Sequence, residues 1–125
     1  MDLGLLGQMC LSEHIEYSAV LKFSGKYLVR IESPFTLYLR ENEYRFSPES
    51  DPPESLEPVR ALIGQTVTRS IAEETGTLRL SFANGASVIV EPDEAYEAWT
   101  MSGPGGMLVV CMPRGELAIW DKQDT

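Results

Sequence analysis

The chain has 125 residues, of which 43% are hydrophobic and 23% charged, as is typical of a folded globular protein rather than a disordered one. Ten Lys and Arg stand against nineteen Asp and Glu, and the net charge of −9 argues against binding to nucleic acid, which requires cationic side chains. No apolar run approaches the ~20 residues of a membrane-spanning helix. We therefore expect one acidic domain over residues 1–125, with neither nucleic acid nor membrane as its partner.

The N-terminus and the cysteines point to the cytoplasm. The first ten residues lack the basic region and small-residue cleavage site of a signal peptide. The two cysteines, Cys10 and Cys111, are far apart and lie in apolar stretches, which predicts buried thiols rather than a disulfide framework. A reduced, cytoplasmic protein is the simplest expectation.

Two parts of the chain share one pattern, which predicts an internal repeat. The motif Leu-Gly-Gln at residues 6–8 recurs as Ile-Gly-Gln at residues 63–65. Further on, residues 20–32 align with residues 79–91, with a Phe, a glycine turn and a final Glu in common. The predicted copies are residues 6–46 and 63–101, followed by a C-terminal hairpin over residues 107–120.

Alternation of apolar and polar residues predicts β-strands through both copies, because successive side chains of a strand point to opposite faces. Asn84-Gly85 is a strong hairpin signal, since both residues tolerate a positive φ angle. The predicted strands are residues 8–15, 19–24, 27–32, 35–39, 44–46, 65–71, 78–82, 87–91, 95–101, 107–112 and 116–120.

One segment between the copies has a helical pattern. Leu56, Val59, Leu62 and Ile63 share one apolar face of a helix over residues 55–63, and Gly64 follows where a C-terminal glycine is favoured. The preceding residues are rich in proline and acid, so residues 47–63 read as an acidic connector. The predicted fold class is mainly antiparallel β, a tandem duplication of a hairpin unit joined by one short helix, arranged as a sandwich or an open barrel.

The sequence lacks most catalytic and metal-binding patterns. His14 is the only histidine, and it lies at a strand end among ordinary surface residues, so neither a nucleophilic triad nor a zinc site is predicted. The acidic run from Glu91 to Glu97 matches no calcium loop and reads as a charged turn. Residues 103–106 join two strands, which favours a hairpin turn over a phosphate-binding loop. No catalytic residue, metal or cofactor is predicted.

The best candidates for a functional surface are acidic and aromatic. Tyr96 and Trp99 lie on opposite faces of a predicted strand, so one of them faces away from the core of a two-layered fold. An exposed aromatic side chain rimmed by carboxylates suits a protein-binding patch. The candidate partner-binding residues are Glu49, Asp51, Glu54 and Glu57 in the connector and Glu94, Glu97 and Trp99 in the second copy.

The C-terminal block YEAWTMSGPGGMLVVCMPRGELAIW, together with LKFSGKYLVRIESPF and ALIGQTV, resembles a family of small bacterial proteins of unknown function that is common in actinobacteria. The resemblance spans nearly the whole chain. It implies a stand-alone domain of this length with no recognised cofactor. Many such small domains accompany toxin genes as immunity proteins, an analogy that favours binding over catalysis.

Four functions remain open from the sequence. The leading expectation is a non-catalytic protein-binding module that pairs with a basic protein, such as an immunity protein neutralising a basic toxin. A β domain that binds a small molecule is the second, with methionines as adaptable wall material. An enzyme that works without histidine is the third, and a homo-oligomer formed through open sheet edges is compatible with each of these. The four methionines considered are Met9, Met101, Met107 and Met112.

Overall fold

A computed structural model of the chain describes residues 1–120, which form eleven strands and one longer 3₁₀ helix. Three further 3₁₀ turns lie at Ser24–Lys26, Pro104–Gly106 and Pro113–Gly115. The strands are β1 (Cys10–Ile15), β2 (Ala19–Phe23), β3 (Leu28–Ile31), β4 (Phe35–Leu39), β5 (Asn42–Phe46), β6 (Val67–Ala72), β7 (Leu78–Phe82), β8 (Ser87–Val90), β9 (Trp99–Ser102), β10 (Leu108–Cys111) and β11 (Leu117–Trp120), and the longer helix, here the connector helix, spans Pro53–Leu62.

The strands form two antiparallel sheets. The first has the order β1-β2-β3-β9-β10-β11 and the second the order β5-β4-β8-β7-β6. Neither sheet closes on itself within the described residues, so the fold is sandwich-like rather than a barrel. This confirms the predicted mainly antiparallel β class and selects one of the two predicted architectures.

Each sheet contains strands from both halves of the chain. In the first sheet β3 pairs with β9, with Val29 opposite Met101. In the second sheet β4 pairs with β8, with Leu37 opposite Val88. All four of these residues are buried, so the seam between the halves lies inside the core of each sheet. A half of the chain taken alone would expose both seams.

The two halves also share details of strand pairing. Strand β1 has an irregularity between Cys10 and Ser12, and Cys10 pairs with Phe23. Strand β6 has its irregularity between Val67 and Arg69, and Val67 pairs with Phe82. Phe23 and Phe82, which the sequence alignment matched, stack in the core with ring centroids 6.4 Å apart.

The alternating pattern places one face of each strand in a shared apolar core. In β2 and β7 every second residue is buried, and the intervening residues are more exposed. Such burial of large aliphatic and aromatic side chains is the main favourable term in folding. The largest fully buried side chains include Trp99, Phe23, Leu3, Leu5, Leu21, Ile31, Leu37, Leu56, Leu62, Leu78, Leu80 and Met101.

The connector helix is a 3₁₀ helix that includes Pro58. Leu56, Val59 and Leu62 are buried at intervals of three residues, which is the repeat of a 3₁₀ helix. Ile63, the fourth residue of the predicted face, follows the helix and is partly exposed. The helix therefore covers the core with one narrow stripe, and it contacts β1 at the outer edge of the first sheet.

The N-terminal residues cover the outer edge of β6. The backbone N–H of Leu3 donates to the Ser70 carbonyl at 2.9 Å, and the N–H of Gly7 donates to the Val67 carbonyl at 2.9 Å. Leu3 and Leu5 are fully buried. The sequence predicted only a strand from residue 8 onward, and the covering role of residues 1–7 was missed.

Two glycines bring the β6–β7 turn into contact with the β10–β11 turn. A methyl group on Gly76 would come within 2.5 Å of the Gly115 Cα atom, and one on Gly115 would overlap the Thr75 carbonyl oxygen. Gly115 also has a φ angle of +98°, which side chains disfavour. This close approach joins one end of the second sheet to one end of the first.

We predict that Gly115→Ala lowers the free energy of unfolding by about 3 kcal/mol, since the new methyl group adds overlap to the cost of a positive φ angle. Gly105→Ala is the matched control, because Gly105 has a φ angle of +73° but no atom within 4 Å of the added carbon. The control is expected to cost about 1 kcal/mol. Urea unfolding of both variants checks this, and equal losses would contradict it.

Candidate functional site

Tyr17 lies at the tip of the β1–β2 turn and is 75% exposed. Its φ angle of +64° is uncommon for a residue with a side chain. The N–H of Glu16 donates to the Ser18 carbonyl at 2.9 Å and closes the turn around it. The turn therefore presents a large aromatic side chain to solvent.

A second exposed tyrosine lies in the loop before β9. The Asp93 Oδ1 atom accepts hydrogen bonds from the N–H groups of Ala95 at 2.8 Å and Tyr96 at 3.0 Å, which turns the chain there. Tyr96 is 74% exposed. The prediction of a strand beginning at residue 95 was wrong, because this turn delays β9 until Trp99.

Main-chain hydrogen bonds attach the same loop to the β3–β4 link. The N–H groups of Glu32 and Ser33 both donate to the Ala98 carbonyl, at 2.9 and 3.2 Å. The Ser33 hydroxyl donates to the Glu91 carbonyl at 3.4 Å. These contacts place the Glu32 side chain beside the acidic loop of the second half.

The start of the connector folds into its own compact turn. The Asp51 carboxylate accepts from the Ser47 N–H at 2.7 Å, and the Asp51 N–H donates to the Ser47 carbonyl at 2.8 Å. Asp51 is partly buried, and Glu49 is exposed within the same turn. Asp51 thus has a structural role here in addition to its charge.

These segments meet in one groove of about 480 Å³, here called the central groove. It brings together Tyr17 from the β1–β2 turn, Glu49 from the connector and Tyr96 from the loop before β9. No Lys or Arg occurs among the described residues that line it. The lining residues are Tyr17, Glu32, Ser33, Pro34, Glu49, Asp93, Tyr96 and Glu97.

Neighbouring grooves extend the central groove in both directions. One shares Tyr17 and Glu49 with it, and a further groove of about 390 Å³ continues from Pro53 along the connector helix. On the other side a groove shares Tyr96 and Glu97 and reaches Met112. We call the carboxylates along these grooves the acidic track: Glu13, Glu16, Glu32, Glu49, Asp51, Glu54, Glu57, Asp93 and Glu97.

The negative charge of the acidic track is largely uncompensated. Across residues 1–120 two ion pairs form, and one of them, between Arg79 and Glu73, lies outside the track. The other is exposed and joins His14 Nε2 to Glu16 Oε1 at 3.4 Å. Arg60 is the one Lys or Arg among the described residues lining these grooves. The track therefore carries a strong local negative potential.

Most of the candidate residues from the sequence lie along this track. Glu49, Asp51 and Glu97 lie around the two tyrosines, although the sequence placed them in two separate regions. Glu54 and Glu57 line the groove along the connector helix. Glu94 is exposed in the same loop as Glu97 but does not line these grooves.

The prediction that Trp99 belongs to the contact surface was wrong. Its side chain is fully buried, and its indole Nε1–H donates to the Gly76 carbonyl at 2.9 Å. The Cys111 thiol donates to the same carbonyl at 3.4 Å. Trp99 thus packs in the core against the glycine contact, and Tyr96 is the exposed member of the predicted aromatic pair.

Sequence reasoning missed Tyr17 and four carboxylates of the track, one of which is Asp93 in the acidic run that the sequence analysis interpreted as a charged turn. Glu13 and Glu16 come from β1 and its turn, and Glu32 follows β3. The one available signal for Tyr17 was an aromatic residue in the polar turn between two alternating strands. Glu13, Glu16 and Glu32 gave no local signal, because their proximity to the groove depends on how the sheets are assembled.

The structure also places the other groups that the sequence analysis considered for chemistry, His14 and the methionines. His14 is exposed and contacts Glu16. Within residues 1–120 no three His, Cys, Asp or Glu side chains are arranged to hold a metal ion. The methionines considered for a ligand cavity differ in exposure, since Met101 is fully buried and Met9 is 42% exposed. No helix in the described part of the chain has the length and apolar character needed to cross a membrane.

Comparison with known families gives one match. The model of a family described as Family of unknown function (DUF6188) covers residues 1–121. The chain belongs to this family. The predicted membership of a family of unknown function is thereby confirmed. No curated protein and no solved structure matches the chain.

Both cysteines are buried and free, and burial suppresses their ionisation. Burial raises the pKa of the Cys10 thiol from 9.0 to about 11, partly opposed by a backbone hydrogen bond from Ser12. Burial likewise raises the pKa of Cys111. A thiol that stays protonated is a poor nucleophile.

We predict that Cys10 lowers the free energy of unfolding as the pH rises from 9 to 11. The reason is that the thiol of the unfolded chain releases its proton at a lower pH than the thiol of the folded chain. The free energy of unfolding of Cys10→Ala should fall less than that of the wild type, by on the order of 2 kcal/mol across that range. Urea unfolding of both proteins at several pH values measures the difference. Parallel pH curves would contradict the prediction.

Proposed function

We propose that the protein is a non-catalytic binding module whose acidic track binds a basic protein. The observation that carries the proposal is the central groove, where Tyr17 and Tyr96 are each about three-quarters exposed among uncompensated carboxylates. Large exposed aromatic side chains lose little conformational freedom on binding and dominate interface energies. An arginine or lysine placed on such a ring gains cation–π attraction as well.

The charge of the track supports a basic partner over an acidic or neutral one. A row of carboxylates with few ion-pair partners attracts a positive surface and speeds its approach. Because this attraction is screened by salt, binding is expected to weaken as ionic strength rises. The proposed partner chemistry is therefore a protein surface or segment rich in Arg and Lys.

We propose further that the protein acts in the cytoplasm as an immunity protein that neutralises a basic toxin. Such a role requires a compact protein that recognises its partner quickly and covers a cationic active surface. The track spans both halves of the chain, which supports contact over an extended surface. The analogy with small domains encoded beside toxin genes favours the same role.

The repeat predicted from the sequence fits a tandem duplication, which we propose as the origin of the fold. Its support is the agreement between the alignment of Phe23 with Phe82 and the paired irregularities of β1 and β6. The first copy contributes three strands to one sheet and two to the other, and the second does the same when β10, which the sequence placed in the C-terminal hairpin, is counted with it. In this proposal β11 is an addition outside the duplicated unit.

We predict that Tyr17→Ala and Tyr96→Ala each weaken binding of a ten-residue arginine peptide, the probe, by about tenfold. Removal of either ring takes away an aromatic surface that the cationic side chains contact. Tyr38→Ala is the matched control, since Tyr38 is 40% exposed on β4 and does not line the grooves. Calorimetric titration at low salt measures the three affinities, and equal weakening by all of them would contradict the prediction.

A charge comparison tests whether the position of the carboxylates matters. Glu49→Gln and Glu97→Gln are expected to weaken binding of the arginine peptide, whereas Glu43→Gln on β5 is expected to have a much smaller effect. All three changes remove one exposed negative charge. Equal losses would show that net charge alone, rather than the track, attracts the peptide.

The immunity role has its own test. Cells that produce a basic protein encoded beside this gene are expected to grow when the wild-type chain is co-produced, and to stop growing with the Tyr17→Ala, Tyr96→Ala double variant. Tyr38→Ala should protect like wild type. Absence of protection by the wild-type chain, or full protection by the double variant, would overturn the immunity role without affecting the peptide result.

A further inference from the structure

Strand β11 differs from the other edge strands in two ways. It carries no charged side chain, and no segment within residues 1–120 covers its outer side. The connector helix lies along β1, and residues 1–9 pair with β6. Strand β5 carries Glu43 and Arg45, and charged side chains on an edge strand discourage pairing with another chain. Strand β11 has the sequence Leu-Ala-Ile-Trp, and no segment within residues 1–120 pairs with its outer side.

The hydrogen-bond register shows which groups of β11 point outward. The Met112 N–H donates to the Glu116 carbonyl at 2.7 Å, and Ala118 is opposite Val110. Because bonded pairs alternate along antiparallel strands, the backbone groups of Ala118 face β10. The N–H and C=O groups of Leu117 and Ile119 therefore point away from the sheet.

Both faces of β11 are accessible as well. The first sheet has six strands and the second five, and no residue of β11 is fully buried. Ile119 is 49% exposed and Trp120 is 54% exposed. An apolar edge strand of this kind favours association with a further strand.

We propose that β11 pairs with β11 of a second copy of this chain about a two-fold axis at Ala118. In that arrangement Leu117 of each copy is opposite Ile119 of the other, and their outward N–H and C=O groups form main-chain hydrogen bonds. The second copy brings an edge of equal length with its outward groups in the matching positions. The pairing joins the two six-stranded sheets into one.

Charge distribution selects a second copy as the occupant. Two chains of net charge −9 repel each other, so a contact through an uncharged strand opposes their association least. Strand β11 offers such a contact, while the acidic track attracts partners of the opposite sign. Met9, another exposed apolar residue, lies where the backbone is already paired, in a bridge with Thr66. It offers a side-chain surface but no free edge.

The mass of the full chain in solution tests this pairing. A four-residue edge contact is smaller than the ~800 Å² per partner of a standard interface, so the dimer should dissociate on dilution. Sedimentation velocity from about 5 to about 500 µM is expected to move from 13.9 kDa toward about twice that mass. Trp120 fluorescence should shift to shorter wavelength over the same range, because the indole ring leaves water.

Two variants of the edge identify the contact. Ile119→Pro removes an outward N–H and no bond to β10, and Ile119→Lys places like charges across the axis. Both are expected to stay at 13.9 kDa at all concentrations. Leu6→Lys, at a site 66% exposed in the N-terminal segment, is the control and should dimerise like wild type.

A wild-type chain that stays at the monomer mass up to the highest concentration would overturn the proposal. Dimerisation of both Ile119 variants to the wild-type extent would also overturn it, since the contact would then lie elsewhere. Near-ultraviolet circular dichroism confirms that each variant is folded. Should Ile119→Pro fail to fold, the Ile119→Lys result decides between these outcomes.

Discussion

Hydrogen bonds between β3 and β9 and between β4 and β8 join the two halves of this chain into one body. Each seam lies in the middle of a sheet and is lined by buried apolar side chains, so neither half can bury its own core alone. The same seams fix the position of the loops that line the central groove. The central groove exists because β3 and β9 are neighbours, which sets Glu32 and Ser33 beside the loop that carries Tyr96.

Much of the fold could be predicted because its signals are local. Alternation and glycine turns located the strands, although Asp93 moved the start of β9 to Trp99. The apolar residues of the connector were found, but their spacing of three, and Pro58 among them, suit a 3₁₀ helix better than an α-helix. The order of the strands could not be predicted, because no local sequence pattern shows which of the two sheets a strand joins. The covering role of residues 1–7 depends on that order and was missed for the same reason.

The candidate site was predicted in pieces. Composition identified the acidic connector and the acidic loop, but only the assembled sheets bring Glu49 and Glu97 to one groove. Burial decided between the two aromatic candidates, because Trp99 finds a hydrogen-bond acceptor inside the core and Tyr96 remains in solvent. Tyr17 was missed because an aromatic residue at a turn has no periodic pattern to mark it. Like charges held close together oppose folding, so the track does not stabilise the fold, which supports the proposed binding role.

The proposed basic partner binds the acidic track and the proposed second copy binds the uncharged edge at β11, so the two contacts use different surfaces. In this proposal, segments from both halves of the chain form one binding surface. Backbone amide NMR spectra recorded during titration with the ten-residue arginine peptide test this most directly. We expect signals from residues 13–17, 47–57 and 93–97 to shift together with a single affinity. Shifts confined to one of these segments, or centred on β5, would contradict it.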